Sequence, residues 1–349
     1  MDVKNLKIFL TGATGFVGAQ LINNLLEDES NELYILYRDE YRKNKLITEN
    51  NKERLHFIKG DITIPDFGVD GKEIAQLPAM DYFYHLAALV KFDEALRDDL
   101  FKINYDGTRH ALDFAEKINS NHFLYVSTAY TVGVNEDAKE VLHDINSETN
   151  NPYEESKVKA EYLVAASNMK TSILRPAIII GDSITGEADS KFTLYGFMKA
   201  LKVFKRKMDR VPESENTTYR LFVDNNCTSN LVPVDYVVRV LTHAIPHAEN
   251  NKIYHITNNE PPENLEVLAI IKKYLNFDQL TVASTNEQHT MNAQEAILNS
   301  YIDVFEPYFK KSIVFDETNT KTMLSKVGED TLKLTPAQLD HIIEVFFKS

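Results

Sequence analysis

Leu10-Thr11-Gly12-Ala13-Thr14-Gly15-Phe16-Val17-Gly18 is the stretch whose reading decides the fold. It follows the short apolar run Lys7-Ile8-Phe9-Leu10. It precedes Ala19 to Leu26, where Leu21, Ile22, Leu25 and Leu26 share one helical face. A glycine turn between a first strand and a first helix has a physical purpose. One glycine permits the sharp turn, the next lets backbone N–H groups approach a pyrophosphate, and the third lets helix and strand pack closely. The spacing is G-x-x-G-x-x-G, not the G-x-G-x-x-G of many dinucleotide sites, so a purely structural β–α turn is the competing reading. Its place at the head of an alternating chain favours the nucleotide turn.

Working outward, strand-like runs recur at Leu33–Tyr37, His56–Ile58, Tyr82–Leu86, Phe123–Val126 and Thr171–Leu174, with helical stretches at Gly107–Ile118 and Pro152–Ala166. Near-continuous apolar strands alternating with helices predict an α/β fold, a doubly wound parallel sheet of the Rossmann type. Near residue 181 the rhythm changes. Residues 1–181 are therefore expected to form the nucleotide-binding domain. Residues 182–349 are expected to form a smaller, mostly α substrate domain, with a late strand near 252–257 returning to the sheet. Thr335-Pro336 reads as cap and first-turn proline of a last helix.

Composition narrows the partners. Among 349 residues, 38 are basic and 52 acidic, a net charge of −14, which disfavours nucleic acid. One cysteine, Cys227, excludes an internal disulfide or a cysteine zinc site, and no run reaches the ~20 apolar residues of a bilayer span. With no basic and apolar leader pattern at the start, a cytoplasmic location is expected. His243 and His247 flank Pro246 without a third ligand, so no metal is expected. Tyr130 and Tyr162 read as packing residues.

Two constellations carry chemistry. At the end of the second strand, Tyr37-Arg38 stands where an acid would hold a ribose 2′-hydroxyl, and a guanidinium there suits a 2′-phosphate, favouring NADP(H) over NAD(H). Asp39 or Glu40 could take the acid's place if the strand runs further. In Asn151-Pro152-Tyr153-Glu154-Glu155-Ser156-Lys157 a helix starts with Asn as cap and Pro first, setting Tyr153 and Lys157 on one face. A nearby ammonium together with a cationic oxidised nicotinamide is expected to lower the phenol from about 10 toward neutrality, making it a proton donor to a carbonyl that receives hydride. Thr128, after the strand ending at Val126, would present a hydroxyl at the sheet's carboxyl edge.

With these motifs in order the chain resembles the extended short-chain dehydrogenase/reductases. Thr11–Gly18 is similar to their TGxxGxxG turn, Tyr153–Lys157 to their YxxxK helix and Thr128 to their catalytic Ser/Thr. Asn104-Tyr105-Asp106-Gly107-Thr108 is similar to their NxxGT segment, Asp61-Ile62 to their adenine-contacting pair and His85-Leu86-Ala87-Ala88 to their HxAA turn. Within that family the chain most resembles thioester reductase and fatty acyl-CoA reductase (male-sterility) domains, through Gly60–Pro65, Ala87–Val90, Arg175-Pro176 to Gly186, and Phe315–Asn319. The resemblance implies a seven-stranded sheet. It implies catalytic roles for Thr128, Tyr153, Lys157 and Asn104, the last supporting Lys157 through water. It implies cofactor contacts from Gly12, Thr14, Gly15, Phe16, Val17, Gly18, Arg38, Asp61, Ile62, Ala87, Lys157 and Pro176.

The function expected is NADPH-dependent reduction of a carbonyl or acyl thioester, the substrate a small molecule such as an acyl-CoA or a carrier-protein thioester. The alternatives are a nucleotide-sugar epimerase or dehydratase, a hydroxysteroid dehydrogenase, and a non-catalytic dinucleotide sensor. One local basic stretch, Phe197 to Arg210, places Phe197, Leu201, Phe204 and Met208 on one helical face and its lysines and arginines outside. It reads either as a solvated basic face or as a docking patch for an anionic substrate.

Overall fold

The computed structural model describes residues 5–188, 193–211, 217–223, 227–301 and 303–348. The chain divides into two compact units built from interleaved segments. The first takes the chain up to Ala177 with Asp235–Thr257 and Phe315–Thr331; the second takes Ile178–Val234, Asn258–Val314 and the chain from Leu332 onward. The change of rhythm near 181 thus marks only the first crossing, and the chain re-enters the first unit twice.

In the first unit the expected strands form as β1 (Lys7–Thr11), β2 (Glu32–Tyr37), β3 (Leu55–Lys59), β4 (Tyr82–His85), β5 (Phe123–Val126), β6 (Thr171–Pro176) and β7 (Lys252–Ile256). They make one seven-stranded sheet in the order β7-β6-β5-β4-β1-β2-β3, and every pairing is parallel. The late strand does return, beside β6. Strand order reverses between β1 and β4, so a crevice opens beyond their carboxyl ends. Ile8, Phe9 and Leu10 are fully buried, as a strand covered on both faces requires.

One face is packed by a row of rings. Phe9 stacks on Phe83 at 4.8 Å and meets Phe114 at 5.4 Å, Phe67 meets Phe114 at 4.5 Å, and Phe83 stacks on Phe123 at 5.2 Å. Each such pair contributes about 0.5–1.5 kcal/mol beyond area burial. Helices α1 (Phe16–Leu25), α2 (Gly107–Lys117) and α3 (Pro152–Ala165) cover the sheet. Asn151 caps α3 by accepting from the Glu154 N–H at 3.1 Å, with Pro152 first in the helix, as expected.

The second unit is mostly helical, with α4 (Leu194–Met208), Asn264–Leu275, Ala293–Ser300 and Pro336–Lys348. Two short parallel pairs complete it, Ile178–Ile180 with Leu231–Pro233 and Tyr219–Phe222 with Leu280–Ala283. Thr335 caps the last helix, its hydroxyl accepting from the Gln338 N–H at 3.3 Å. In α4 Phe197, Leu201, Phe204 and Met208 are buried while Lys199, Arg206 and Lys207 face solvent. Lys205 is tied to Asp209 at 2.8 Å, and Lys202 lies 5.8 Å from the Phe346 ring. Within this unit Ile178, Leu194, Phe197, Leu221, Leu231 and Leu268 help line an apolar cavity of about 580 Å³, counted out to solvent.

The turn after β1 is sterically closed. A Cβ on Gly18 would sit 2.4 Å from the Gly12 carbonyl oxygen and 2.7 Å from Ala13 Cα, both backbone atoms. Gly18→Ala is therefore expected to cost about 1–3 kcal/mol, seen as a Tm several degrees lower in the cofactor-free protein. Gly71→Ala, where an added Cβ meets nothing within 4 Å, should leave Tm where it is.

Candidate functional site

The site begins at the glycine turn. Gly12 adopts φ +73°, and a Cβ there would lie 2.5 Å from the Ala87 backbone nitrogen, so the turn and the loop after β4 touch through bare backbone. Gly15 stands at the cap position of α1 and offers no side-chain acceptor, and the first turn carries no acid. The leading N–H groups of a ten-residue helix are thus left without a side-chain partner, the condition for holding an anion. Thr14, Gly15, Phe16 and Val17 are half-buried at this mouth. The turn fits a dinucleotide pyrophosphate: a cradle that Cβ atoms would fill, positive backbone charge, and Ala87 against it.

At the end of β2 the acids that follow Arg38 make local bonds. Asp39 caps the short helix Glu40–Asn44, accepting from the Arg42 N–H at 2.9 Å. Glu40 accepts from Tyr37 Oη at 3.0 Å and Lys43 Nζ at 3.0 Å. Arg38 keeps a side chain 76% exposed, its guanidinium 3.5 Å from Asp61. Asp61 also accepts from the Thr63 N–H and hydroxyl, both at 2.9 Å. Ile62 rests against Gly107, where an added Cβ would be 3.1 Å away, and its carbonyl meets His110 Nδ1 at 2.9 Å. Pro176, buried at the end of β6, has β5 and β4 between its strand and β1, so it lies toward the acid–base residues and away from the glycine turn.

Tyr153 and Thr128 meet. Thr128 follows β5, is buried, and stands against the Tyr153 phenol, where its hydroxyl favours the phenolate. Burial pushes that phenol above its usual range, the Glu154 carboxylate pushes the same way, and only the Thr128 hydroxyl opposes them. In the chain without cofactor, burial outweighs any lowering of this phenol. Lys157 Nζ donates to the Val126 carbonyl at 2.9 Å and to Tyr125 Oη at 3.3 Å, so the ammonium is tied down to β5. Lys157 itself is 2% exposed. Burial drives its pKa down to about 7, against the pull of Glu161.

Asn104 sits in a π-helical turn, Phe101–Asp106, a bulge of the kind that re-aims side chains at sites. Its Oδ1 accepts from the Leu89 N–H at 2.8 Å, and its Nδ2 donates to the Leu89 carbonyl and to Ser156 Oγ, both at 3.0 Å. Ser156 in turn donates to the Tyr153 carbonyl at 2.7 Å. Asn104 therefore braces the start of α3 and the loop after β4 by direct contact.

Sequence reasoning missed several groups. Tyr125 and Glu161 read as strand and helix filler. The bridging of His85 from Thr11 to Thr108 carried no spacing signal, because two separate strands and a helix supply it. Glu161 could have been found from its i,i+4 position after Lys157. Instead it binds Arg175, a fully buried guanidinium, through 2.8 and 2.6 Å bonds. Tyr162 donates to the His143 carbonyl at 2.9 Å, and His243 pairs with Glu329 at 2.9 Å.

Comparison with known proteins agrees with this geometry. A family model described as "Male sterility protein" matches residues 10–241. The chain is 27% identical over 308 residues to the fatty acyl-CoA reductase wat of Drosophila melanogaster, covering 72% of this chain and 56% of that protein. It is 24% identical to the L-2-aminoadipate reductase of Schizosaccharomyces pombe over 91% of this chain and 24% of that one. The chain thus spans about half, or less, of the length of these curated relatives. Among solved structures, the terminal R domain from the myxalamid PKS-NRPS pathway superposes with a TM-score of 0.80 at 23% identity, covering 98% of this chain and 90% of that one. The UDP-glucuronic acid 4-epimerase of Bacillus cereus shares the fold at 0.67 and 17% identity, with 98% and 96% covered. A turn shaped for a dinucleotide, a Tyr/Lys helix beside it and a family model covering both lead to one assignment: the chain belongs to the male sterility protein family of NAD(P)-binding domains, oxidoreductases of the extended short-chain dehydrogenase/reductase type.

Proposed function

We propose that this chain is an NADPH-dependent reductase of acyl thioesters, releasing the thiol and an aldehyde. The observation that carries the reading is the juxtaposition of the Tyr153 phenol and the Thr128 hydroxyl with a buried Lys157 at the carboxyl edge of the sheet. The fatty acyl-CoA and aminoadipate reductases among its relatives support the substrate class. The apolar cavity of the second unit suits an acyl chain, and the exposed cations of α4 suit an anionic handle.

Bound at the Gly12–Gly18 turn, the reduced nicotinamide cofactor supplies hydride to the thioester carbonyl carbon. The protein's residues do the rest. Thr128 donates a hydrogen bond to the carbonyl oxygen, and Tyr153 gives that oxygen its proton as charge builds there. When the C–S bond breaks, the electron pair leaves on sulfur, which takes up a proton from solvent, and the hydroxyl hydrogen returns to the Tyr153 phenolate as the carbonyl re-forms in the aldehyde. A phenol held high by burial stays protonated at neutral pH and is a donor at the start of each turnover. Lys157 acts through its position: tied to the Val126 carbonyl and the Tyr125 hydroxyl, its ammonium is set to hold the cofactor ribose beside Tyr153.

Arg38 carries the cofactor preference, since Asp39 and Glu40 are spent on capping and on Tyr37. Arg38→Ala is expected to raise the Kd for NADPH about tenfold and leave that for NADH unchanged. Titrating both by fluorescence decides it, and equal effects on the two would remove Arg38 from the role.

Tyr153→Phe is expected to lower kcat about 10²–10³-fold with palmitoyl-CoA while moving the Kd for NADPH less than about threefold. Following loss of the reduced nicotinamide absorbance checks this. An epimerase would instead convert a UDP-sugar with no net loss of that absorbance.

Lys157 also marks stability. Unfolded, a lysine keeps its proton to about pH 10.4; folded, Lys157 releases it near 7. Between those values the unfolded chain binds more protons, so this group makes stability rise with pH, and below 7 its burial is a fixed cost. The unfolding free energy of wild type minus that of Lys157→Met should accordingly grow from pH 7 to 10, by at most about 4 kcal/mol. Parallel urea titrations measure it, and a flat or falling difference contradicts the burial of a titrating ammonium.

A further inference from the structure

The acid–base pair is the visible part of a longer hydrogen-bonded array. Register puts Thr11 beside His85 in the β1–β4 pair and His85 beside Tyr125 in the β4–β5 pair. Three polar side chains therefore lie in a row at the carboxyl edge of neighbouring strands, all buried. Thr108, from the first turn of α2, completes the row. Its hydroxyl meets His85 Nε2 at 3.1 Å and lies within hydrogen-bond reach of Tyr125 Oη. Thr11 Oγ1 lies 2.7 Å from His85 Nδ1.

Donor accounting sets the direction of every link. Thr108 has one hydrogen and spends it on the Asn104 carbonyl at 2.6 Å, so its oxygen accepts from both His85 Nε2–H and the Tyr125 hydroxyl. His85, held neutral by burial and by the Lys157 charge, then carries its hydrogen on Nε2 and accepts from Thr11 on Nδ1. With its hydrogen given to Thr108, Tyr125 oxygen is free to accept from Lys157 at 3.3 Å. The result is one continuous sequence of donors, Lys157 to Tyr125 to Thr108 to the Asn104 carbonyl, with protein groups at every link.

We infer that Tyr125 is a positioning residue for the Tyr153/Lys157 pair: its hydroxyl takes the hydrogen bond that fixes the ammonium, and Thr108 and His85 hold that hydroxyl in place. The inference rests on the acid–base reading above and adds a residue to it. The charged and titratable groups around Lys157 are His85 from β4, Tyr125 from β5, Arg175 from β6, and Tyr153 and Glu161 from α3 itself. Arg175 is neutralised by Glu161, and His85 is uncharged, so the Tyr125 hydroxyl is the group whose removal acts on the ammonium by hydrogen bonding alone. Its ring, 4.7 Å from Nζ, stays in a Tyr125→Phe variant.

The test uses the whole chain with two readings. In cofactor-free protein labelled with 13C-lysine, the Lys157 Cε signal is titrated against pH. Tyr125→Phe is expected to lower its midpoint by about one unit, because an acceptor for the charged form is gone. With NADPH and palmitoyl-CoA, kcat at pH 7 should fall about tenfold at nearly constant KM, and the alkaline limb of the kcat profile should move down with the midpoint. An unmoved midpoint or an unmoved kcat overturns the inference. Thr108→Val, which removes the hydroxyl that anchors Tyr125, should shift both readings the same way by a smaller amount, and it decides the matter if Tyr125→Phe does not fold. The two levels fail separately: turnover retained by Tyr153→Phe ends the acid–base reading, whereas an inactive Tyr153→Phe beside an unshifted Tyr125→Phe ends only this one.

Discussion

A lysine ammonium taken out of water at the edge of a parallel sheet is the constraint around which the first unit is arranged. An isolated buried charge of this kind costs several kcal/mol even after relaxation, and no carboxylate bonds to Lys157 directly. Compensation comes from the Val126 carbonyl, the Tyr125 hydroxyl and ring, and the more distant Glu161. Glu161 is in turn claimed by Arg175, whose own burial is complete. Charge is balanced over a network here, which ties the ends of β5 and β6 to the buried face of α3 and makes that face intolerant of simple apolar replacement.

The same network separates two tasks along one crevice. At the β1–α1 turn the protein presents backbone alone: Gly12 against Ala87, Gly18 against Gly12, and uncapped N–H groups of α1. Such a surface holds an anion by dipoles that need no titration and little side-chain ordering. Two strands away, the chemistry depends on side chains whose protonation states are set by burial, with Tyr153 pushed up and Lys157 pushed down. His85 joins the two ends. It touches Thr11 beside the turn and Thr108 beside Tyr125, so a shift of the glycine loop and a shift of the acid–base pair share one hydrogen-bonded partner.

The interleaving of the two units follows from the placement of β7 and of residues 315–331 in the first. Residues 315–331 are held there by Glu140, which accepts from the His255 N–H at 2.8 Å and the Thr320 hydroxyl at 3.0 Å, and also from the Asn319 N–H. A resemblance noticed at Phe315–Asn319 therefore has a structural meaning: this segment binds a carboxylate beneath the sheet edge. Its charge pattern did not reveal that, because the partner lies some 180 residues earlier.

Legibility in the sequence divided along the same physical line. Periodicity and local turn chemistry belong to neighbouring residues. The seven strands, the glycine turn, the Asn151-Pro152 start of α3 and the apolar face of α4 could therefore be read directly, with ends off by one or two residues. That Asp39 and Glu40 make local bonds was not legible in the sequence, since it depends on where β2 ends and the next helix begins. The i,i+4 spacing of Tyr153 and Lys157 says that two side chains share a helix face and nothing of where the ammonium points, which is to Val126 and Tyr125. On α3 the buried face itself includes Glu154, Ser156, Lys157 and Glu161, polar residues that hydropathy would assign to solvent. What the sequence alone determined was the sheet and the turn. Which hydroxyl holds the lysine, and which way each hydrogen points, was decided only by strand register and burial, since those bring together residues from β1, β4, β5 and α2 that no local pattern connects.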